Sequence, residues 1–223
     1  MTECVILSLP SGADVTIQKI ETNEEVAAFN QLRGDMDWSL YDRQGHRKYL
    51  TEAERRAFAE AASRREPEIL TFCLVLKDTG CRLSEALGVT ADRIDLEAGV
   101  IVFRSLKKRR DDIHRAVPVS PALLTALVQV HGLRESGPKE GLWPWHRMTA
   151  HRRIKEVMAD AGIVGPHATA KGLRHGFAVA ALERGVPINM LQKWLGHARL
   201  ATTAIYGNAV GAEERKMAEK LWR

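Results

Sequence analysis

The chain has no apolar run long enough to cross a bilayer. The longest, at 69–76, already contains a threonine, whereas a spanning helix takes roughly 20 predominantly apolar residues. The first ten residues carry an acid at Glu3 and no basic cluster, so a secretory signal peptide is not expected. Cysteine is scarce. Cys4, Cys73 and Cys81 are odd in number and lack metal-ligand spacing, which reads as reduced thiols of an intracellular protein. Also missing are a glycine-rich phosphate loop, a Cys/His pair and a Ser/His/Asp signature. No repeat and no low-complexity tract appears. The expectation is a cytoplasmic protein with no membrane segment, no metal and no cofactor.

What is present is a core and an uneven charge. With 223 residues and 45% hydrophobic composition, one substantial core is expected, with room for a small second unit. The net charge of +5 conceals a split. Residues 1–100 hold 12 Lys+Arg against 18 Asp+Glu, and residues 101–223 hold 21 against 10. The C-terminal part therefore reads as a face for a polyanion.

Three units follow from composition and periodicity. Residues 1–48 form an arm or flap. Apolar residues over 5–9 and 15–20, around Pro10-Ser11-Gly12, predict a hairpin, and Asn23 is placed to cap a short helix carrying Val26, Phe29 and Leu32. Residues 49–210 form the main domain. Thr51 and Glu54 make a capping-box pattern ahead of Phe58, and 68–78 is apolar nearly all round, as a central helix would be. Gly80 stops that helix and the next begins at once, so Arg82 falls at a sharp junction. Strands are expected at 93–96, 100–104 and 115–119, the last two joined by a basic loop containing Lys107-Lys108-Arg109-Arg110. Helices follow at 121–130 and 149–161. Over 170–208 come three more, with Gly185 and Gly196 as stops and Met190, Leu191, Trp194 and Leu195 turned inward. Residues 211–223 form a helical tail in which Met217, Leu221 and Trp222 make a narrow apolar stripe. The fold class is mainly α with one small antiparallel β-sheet.

The chemistry-bearing residues then stand in a definite order: an arginine, a lysine in a basic hairpin, a second arginine, a histidine and a tyrosine. A tyrosine hydroxyl titrates near 10 and is a poor nucleophile at neutral pH unless positive charge surrounds it. Arg82 and Arg174 supply charge that cannot titrate away, in a fork that matches two phosphate oxygens. Such a set suits phosphoryl transfer to Tyr206 without a metal, because that reaction is governed by positioning and charge stabilisation.

The strings that carry these residues resemble the catalytic domain of the tyrosine recombinases, the phage integrase family. Thr79-Gly80-Cys81-Arg82-Leu83-Ser84-Glu85 is similar to the first family box, Leu173-Arg174-His175 and Leu195-Gly196-His197 to the second, and Thr202-Thr203-Ala204-Ile205-Tyr206 to the nucleophile helix. The resemblance covers about 160 residues and implies double-stranded DNA as substrate. It makes Tyr206 the attacking group, forming a 3′-phosphotyrosyl bond. Arg82 and Arg174 would hold the non-bridging oxygens, and Lys107 would protonate the leaving oxygen, with Lys108 as the alternative. His197 would bond the phosphate, Glu85 and His175 would support from behind, and Arg109 and Arg110 would join Lys108 on DNA. Neither metal nor ATP is implied. A homotetramer on DNA is, with a tail that docks on a neighbouring protomer and a nucleoid-associated location. Two features depart from the family. Lys171 stands where a histidine is usual, His167 lying four residues further off and too far away to replace it, and the bulk of the usual N-terminal core-binding domain is missing. That second departure leaves an accessory protein, a short-arm mode or weak binding open, together with a type IB topoisomerase-like relaxing enzyme or a regulator of the same fold.

Overall fold

The computed structural model describes residues 7–8, 14–15, 40–104, 114–133, 141–209 and 212–221. Strands β1 (Leu7–Ser8) and β2 (Asp14–Val15) pair antiparallel, within the hairpin expected from the sequence. The helix expected after Asn23 lies outside the described residues.

The continuous described chain begins at residue 40, with a tight turn in which Tyr41 bridges to Arg47. Helix α1 (Glu52–Ser63) begins in the full capping box: Thr51 Oγ1 accepts the Glu54 N–H, and the Glu54 carboxylate accepts the Thr51 N–H at 2.9 Å. Helix α2 (Pro67–Thr79) buries Ile69, Phe72, Cys73, Val75 and Leu76 on one broad face, with Leu70 and Leu74 half-buried outside it, and it packs against its neighbours on several sides. Gly80 ends it in the left-handed region at φ 59°. Helix α3 (Leu83–Leu87) starts at once, with Arg82 as its extended N-cap. The junction read from the sequence is therefore present.

Strands β3 (Ile94–Asp95), β4 (Val100–Arg104) and β5 (His114–Pro118) make one antiparallel sheet in chain order. On its inner face Ile101 pairs with Val117 and Phe103 with Arg115. Helix α4 (Pro121–His131) is capped by Ser120, and α5 (Arg147–Asp160) by His146. Phe58, Phe72, Leu76, Ile101, Phe103, Leu127, Trp143 and Ile154 form the centre of the main core, all fully buried. Each such side chain contributes about 1.5–3 kcal/mol on leaving water.

The C-terminal third carries a second, smaller core. Helix α6 (Ala170–Glu183) is capped by Thr169, α7 (Ile188–Leu195) ends at Gly196, and α8 (Ala201–Ala204) runs into a 3₁₀ turn at Ile205–Asn208. Leu40, Tyr49, Ala178, Leu191, Leu195 and Tyr206 meet here. Met190 does not join them, being 37% exposed. At 100° per residue it lies well over a right angle from Leu195, whereas Leu191 and Leu195 share one stripe. Helix α9 (Ala212–Ala218) lies against α6 and leaves Met217 half-buried.

Two glycines on α6 set how close that helix sits. A Cβ on Gly172 would fall 1.8 Å from the His167 carbonyl oxygen, and one on Gly176 would fall 2.5 Å from that of Leu50. Leu50 N–H in turn donates to the Gly172 carbonyl at 3.2 Å. The helix therefore meets its neighbours backbone to backbone, and Arg174 and His175 sit between these two contacts.

Candidate active site

Arg174 projects from α6 into the space between two helix ends and is 7% exposed. Its Nη1 donates to the Gly80 carbonyl at 2.6 Å, its Nη2 to the Leu195 carbonyl at 2.7 Å. Both acceptors lie at helix C-termini, where carbonyls lack partners and the dipole favours a cation. Burial, followed by the Arg82 charge, lowers the Arg174 pKa to about 10, so it keeps its proton at neutral pH.

Nη2 also lies 2.9 Å from His197 Nε2. An arginine can only donate, so Nε2 accepts. The proton of the neutral ring is then on Nδ1, which donates to Thr203 Oγ1 at 3.0 Å. Burial, then Arg174 and Arg82, depress the His197 pKa to about 3. The imidazole is neutral in this arrangement.

Arg82 is half-buried beside Glu85. Its backbone N–H donates to Glu85 Oε2 at 2.7 Å and its Nη1 to Oε1 at 2.6 Å. Arg115 from β5 takes the same carboxylate from the other side, Nη1 at 3.2 Å and Nη2 at 2.6 Å. Burial by itself would raise the Glu85 pKa, but the hydrogen bonds and charge of Arg115, with those of Arg82, hold it at about 2. Two arginines thus grip one carboxylate, and with Arg174 nearby the site retains positive charge.

Tyr206 is 1% exposed. Its hydroxyl is 3.0 Å from His175 Nδ1, and its ring stacks on that of His197 at a centroid distance of 6.3 Å. Burial raises its pKa, against the pull of Arg174 and Arg82, so the phenol stays protonated here. His175 is held neutral by burial and by the charges of Lys171 and Arg174, its pKa falling to about 3. Its Nε2 is buried with no hydrogen-bond partner among the described residues.

The structure thus brings Arg82, Glu85, Arg174, His175, His197 and Tyr206 together. Lys171 is exposed on the first turn of α6, one turn before Arg174. Lys107, Lys108, Arg109 and Arg110 lie outside the described residues, in the connection that leaves the sheet at the Arg104–His114 pair. His167 is not a displaced site histidine. Its Nε2 faces Glu54 Oε1 at 3.1 Å, on a carboxylate that Arg47 also grips. Sequence reasoning missed Arg115. Its signal was alternation, since it shares the inward face of β5 with Val117, where an apolar residue is the rule. No group of three or more His, Cys, Asp or Glu side chains converges to hold a metal among the described residues. Arginines, a histidine and a hydroxyl suit an oxyanion instead.

Comparison with known proteins identifies the family. Residues 48–212 match the phage integrase family. The chain is 33% identical over 185 residues to the tyrosine recombinase XerA of Pyrococcus furiosus, covering 78% of this chain and 61% of the relative. It also resembles the crystal structure of XerA recombinase, with a TM-score of 0.68 and 30% identity, over 78% of this chain and 65% of the other. A crystal structure of the XerH site-specific recombinase bound to difH substrate, a pre-cleavage complex, shares the fold at a TM-score of 0.62 and 23% identity, over 79% of this chain and 55% of the other. The chain spans about three fifths of the length of the XerA relative it matches.

Proposed function

The chain belongs to the phage integrase family, and on that premise we propose that it is a site-specific DNA recombinase working through a 3′-phosphotyrosyl intermediate. The observation that carries the reading is the continuous contact from Arg174 to His197 to Tyr206, with Arg82 held beside it by Glu85. Tyr206 Oη attacks the scissile phosphorus and passes its proton to water as the bond to the 5′ oxygen breaks. Lys107, or Lys108 in its place, gives that oxygen a proton and so releases a 5′-hydroxyl. A 5′-hydroxyl from a second duplex then attacks the phosphotyrosine and restores the tyrosine. The energy of the phosphodiester is kept in the protein–DNA bond throughout, so exchange draws on no nucleotide.

Arg82 and Arg174 are placed to hold the two non-bridging oxygens. A bound phosphate also changes His197. Its negative charge draws Arg174 Nη2 away and favours a protonated ring, which then donates from Nε2 to the phosphate. Lys171, one turn from Arg174, adds a mobile donor in the position where the family has histidine. The burial of Tyr206 against His175 supports a resting arrangement, from which the hydroxyl must be withdrawn before attack. Double-stranded DNA is the proposed substrate, met by the exposed Arg147, Arg152 and Lys155 of α5 and by the 107–110 cluster. A homotetramer on DNA is the proposed working assembly, with an accessory protein as a further proposed partner.

The test is a set of DNA fragments flanking the gene, each nicked beside candidate cleavage points so that the cut strand diffuses away. Wild-type protein should accumulate an adduct that survives denaturing electrophoresis, and Tyr206→Phe should bind the same fragment without forming one. An adduct with the Phe variant removes Tyr206 as nucleophile. No wild-type adduct on any fragment favours a regulator of the same fold, and relaxation of a plasmid lacking such sites favours a topoisomerase.

A further inference from the structure

Arg115 stands in the site without a task in the chemistry above. Its guanidinium is 8% exposed and lies over the Phe103 ring at 5.2 Å. Two of its N–H groups go to the Glu85 oxygens, and Nε donates to the Trp194 carbonyl at 2.7 Å. A Cβ on Gly196 would fall 3.1–3.3 Å from Arg115 Cδ, Nη1 and Nε. The turn that carries His197 therefore lies directly on this guanidinium. One side chain from β5 touches both the carboxylate that holds Arg82 and the turn that presents His197.

We propose that Arg115 is a positioning residue for the cleavage step, occupying Glu85 so that Arg82 is held without being neutralised and fixing the His197 turn against the sheet. The proposal rests on the phosphoryl-transfer reading and deepens it. Glu85 accepts four hydrogen bonds, two from Arg82 and two from Arg115, which fills the roughly four lone-pair sites of a carboxylate. With those sites filled, Arg82 gives Glu85 one Nη1 arm and keeps the rest of its fork for an incoming oxyanion. Without Arg115, a carboxylate whose side chain is 0% exposed has Arg82 as its nearest remaining cation. Arg82 then turns further onto Glu85, and its charge is consumed inside the protein instead of facing phosphate. Lysine would restore the charge but cannot span two carboxylate oxygens and a carbonyl in one plane.

The experiment is single-turnover cleavage of a nicked substrate at saturating DNA, with DNA affinity and melting temperature measured on the same samples. Arg115→Lys should lower the maximal rate at least about tenfold, the size of one lost charge-assisted hydrogen bond, while the half-saturating DNA concentration stays within about twofold. Arg115→Met should lose more. Adding Glu85→Gln to Arg115→Met should recover part of that rate, because nothing then captures Arg82. Wild-type rate in Arg115→Lys, a loss confined to DNA affinity, or a double variant no faster than Arg115→Met would each overturn the proposal. An independent readout needs no DNA. Side-chain nitrogen NMR of the free protein should show slower rotation of the Arg82 guanidinium in Arg115→Met than in wild type. Unchanged rotation overturns the proposal even if the wild-type protein forms no adduct, so failure here and failure of the recombinase reading are told apart.

Discussion

Arg82 and Arg174 are equivalent as proposed phosphate ligands, yet their contacts lead us to expect very different consequences for stability when each is truncated. Arg174→Ala strips the partner from two carbonyls, those of Gly80 and Leu195, which end separate helices. A buried acceptor left without a donor costs about 1–3 kcal/mol, so the pair sums to about 2–6 kcal/mol, before counting the space vacated. Against a typical total of about 5–15 kcal/mol, that is a large fraction. Arg82→Ala removes one side-chain bond from a carboxylate that still accepts from Arg115 and from the Arg82 backbone. Its head is half-exposed, so the expected loss is under about 1.5 kcal/mol. Urea unfolding followed by far-UV circular dichroism reads both, provided the m-value is unchanged. Cleavage by both variants should fall by about 2.7–4 kcal/mol in barrier, a hundredfold to a thousandfold, so catalysis alone does not separate them. If Arg174→Ala unfolds within about 0.5 kcal/mol of wild type, less than the cost of even one orphaned acceptor, the claim that it joins two helix ends is wrong.

Acid should weaken the fold in two stages. His175 and His197, held at about 3 against an ordinary 6.5, remain neutral while unfolded imidazoles take protons, so stability falls as pH drops from 6.5 toward 3. Glu85, held at about 2 against 4.5, contributes stability that is full above 4.5 and lost toward 2. Glu54, burial notwithstanding, is also held at about 2 by Arg47, so urea midpoints measured between pH 2 and 7 should show a smaller lower stage in Glu85→Gln, and an unaltered profile would contradict the Arg115–Glu85 pairing. DNA affinity should fall steeply with salt, with a log–log slope of about −0.9 per phosphate neutralised. Replacing Lys108, Arg109 and Arg110 by glutamine should make that slope shallower by up to about 2.7, and a flat wild-type slope would mean that the C-terminal charge excess serves something other than DNA.

Much of the site was legible because its residues sit in short local patterns. Gly80 marks a helix stop, so Arg82 was placed at a junction from sequence alone, and the Thr51–Glu54 box fixed the start of α1. What was not legible depends on contacts between distant segments. Arg115 is 30 residues from Glu85, and nothing local distinguishes it from a solvent-facing strand arginine except its inward register. The grip of Arg174 on the Gly80 and Leu195 carbonyls is of the same kind, spanning 94 and 21 positions. Periodicity failed at Met190 because an apolar residue at the border of a helical stripe can fall on either side of it. The tail stripe of Met217 was likewise readable as apolar, but its resting place on α6 is a property of the surface next to it and not of its own pattern.

The paired glycines of α6 divide the site mechanically. Gly172 and Gly176 let that helix seat against the His167 and Leu50 carbonyls with no side chain between, so it has no slack along which to slide or roll. Arg174 belongs to this fixed jaw. Tyr206 belongs to the other one, a single α-helical turn and a 3₁₀ turn at 201–208, whose few backbone bonds make it the cheaper part to displace. In the proposed reaction, bringing the Tyr206 hydroxyl to phosphate would be a stroke made by the segment after Gly196 against the seated α6, and a side chain introduced at either α6 glycine would shift that anvil itself.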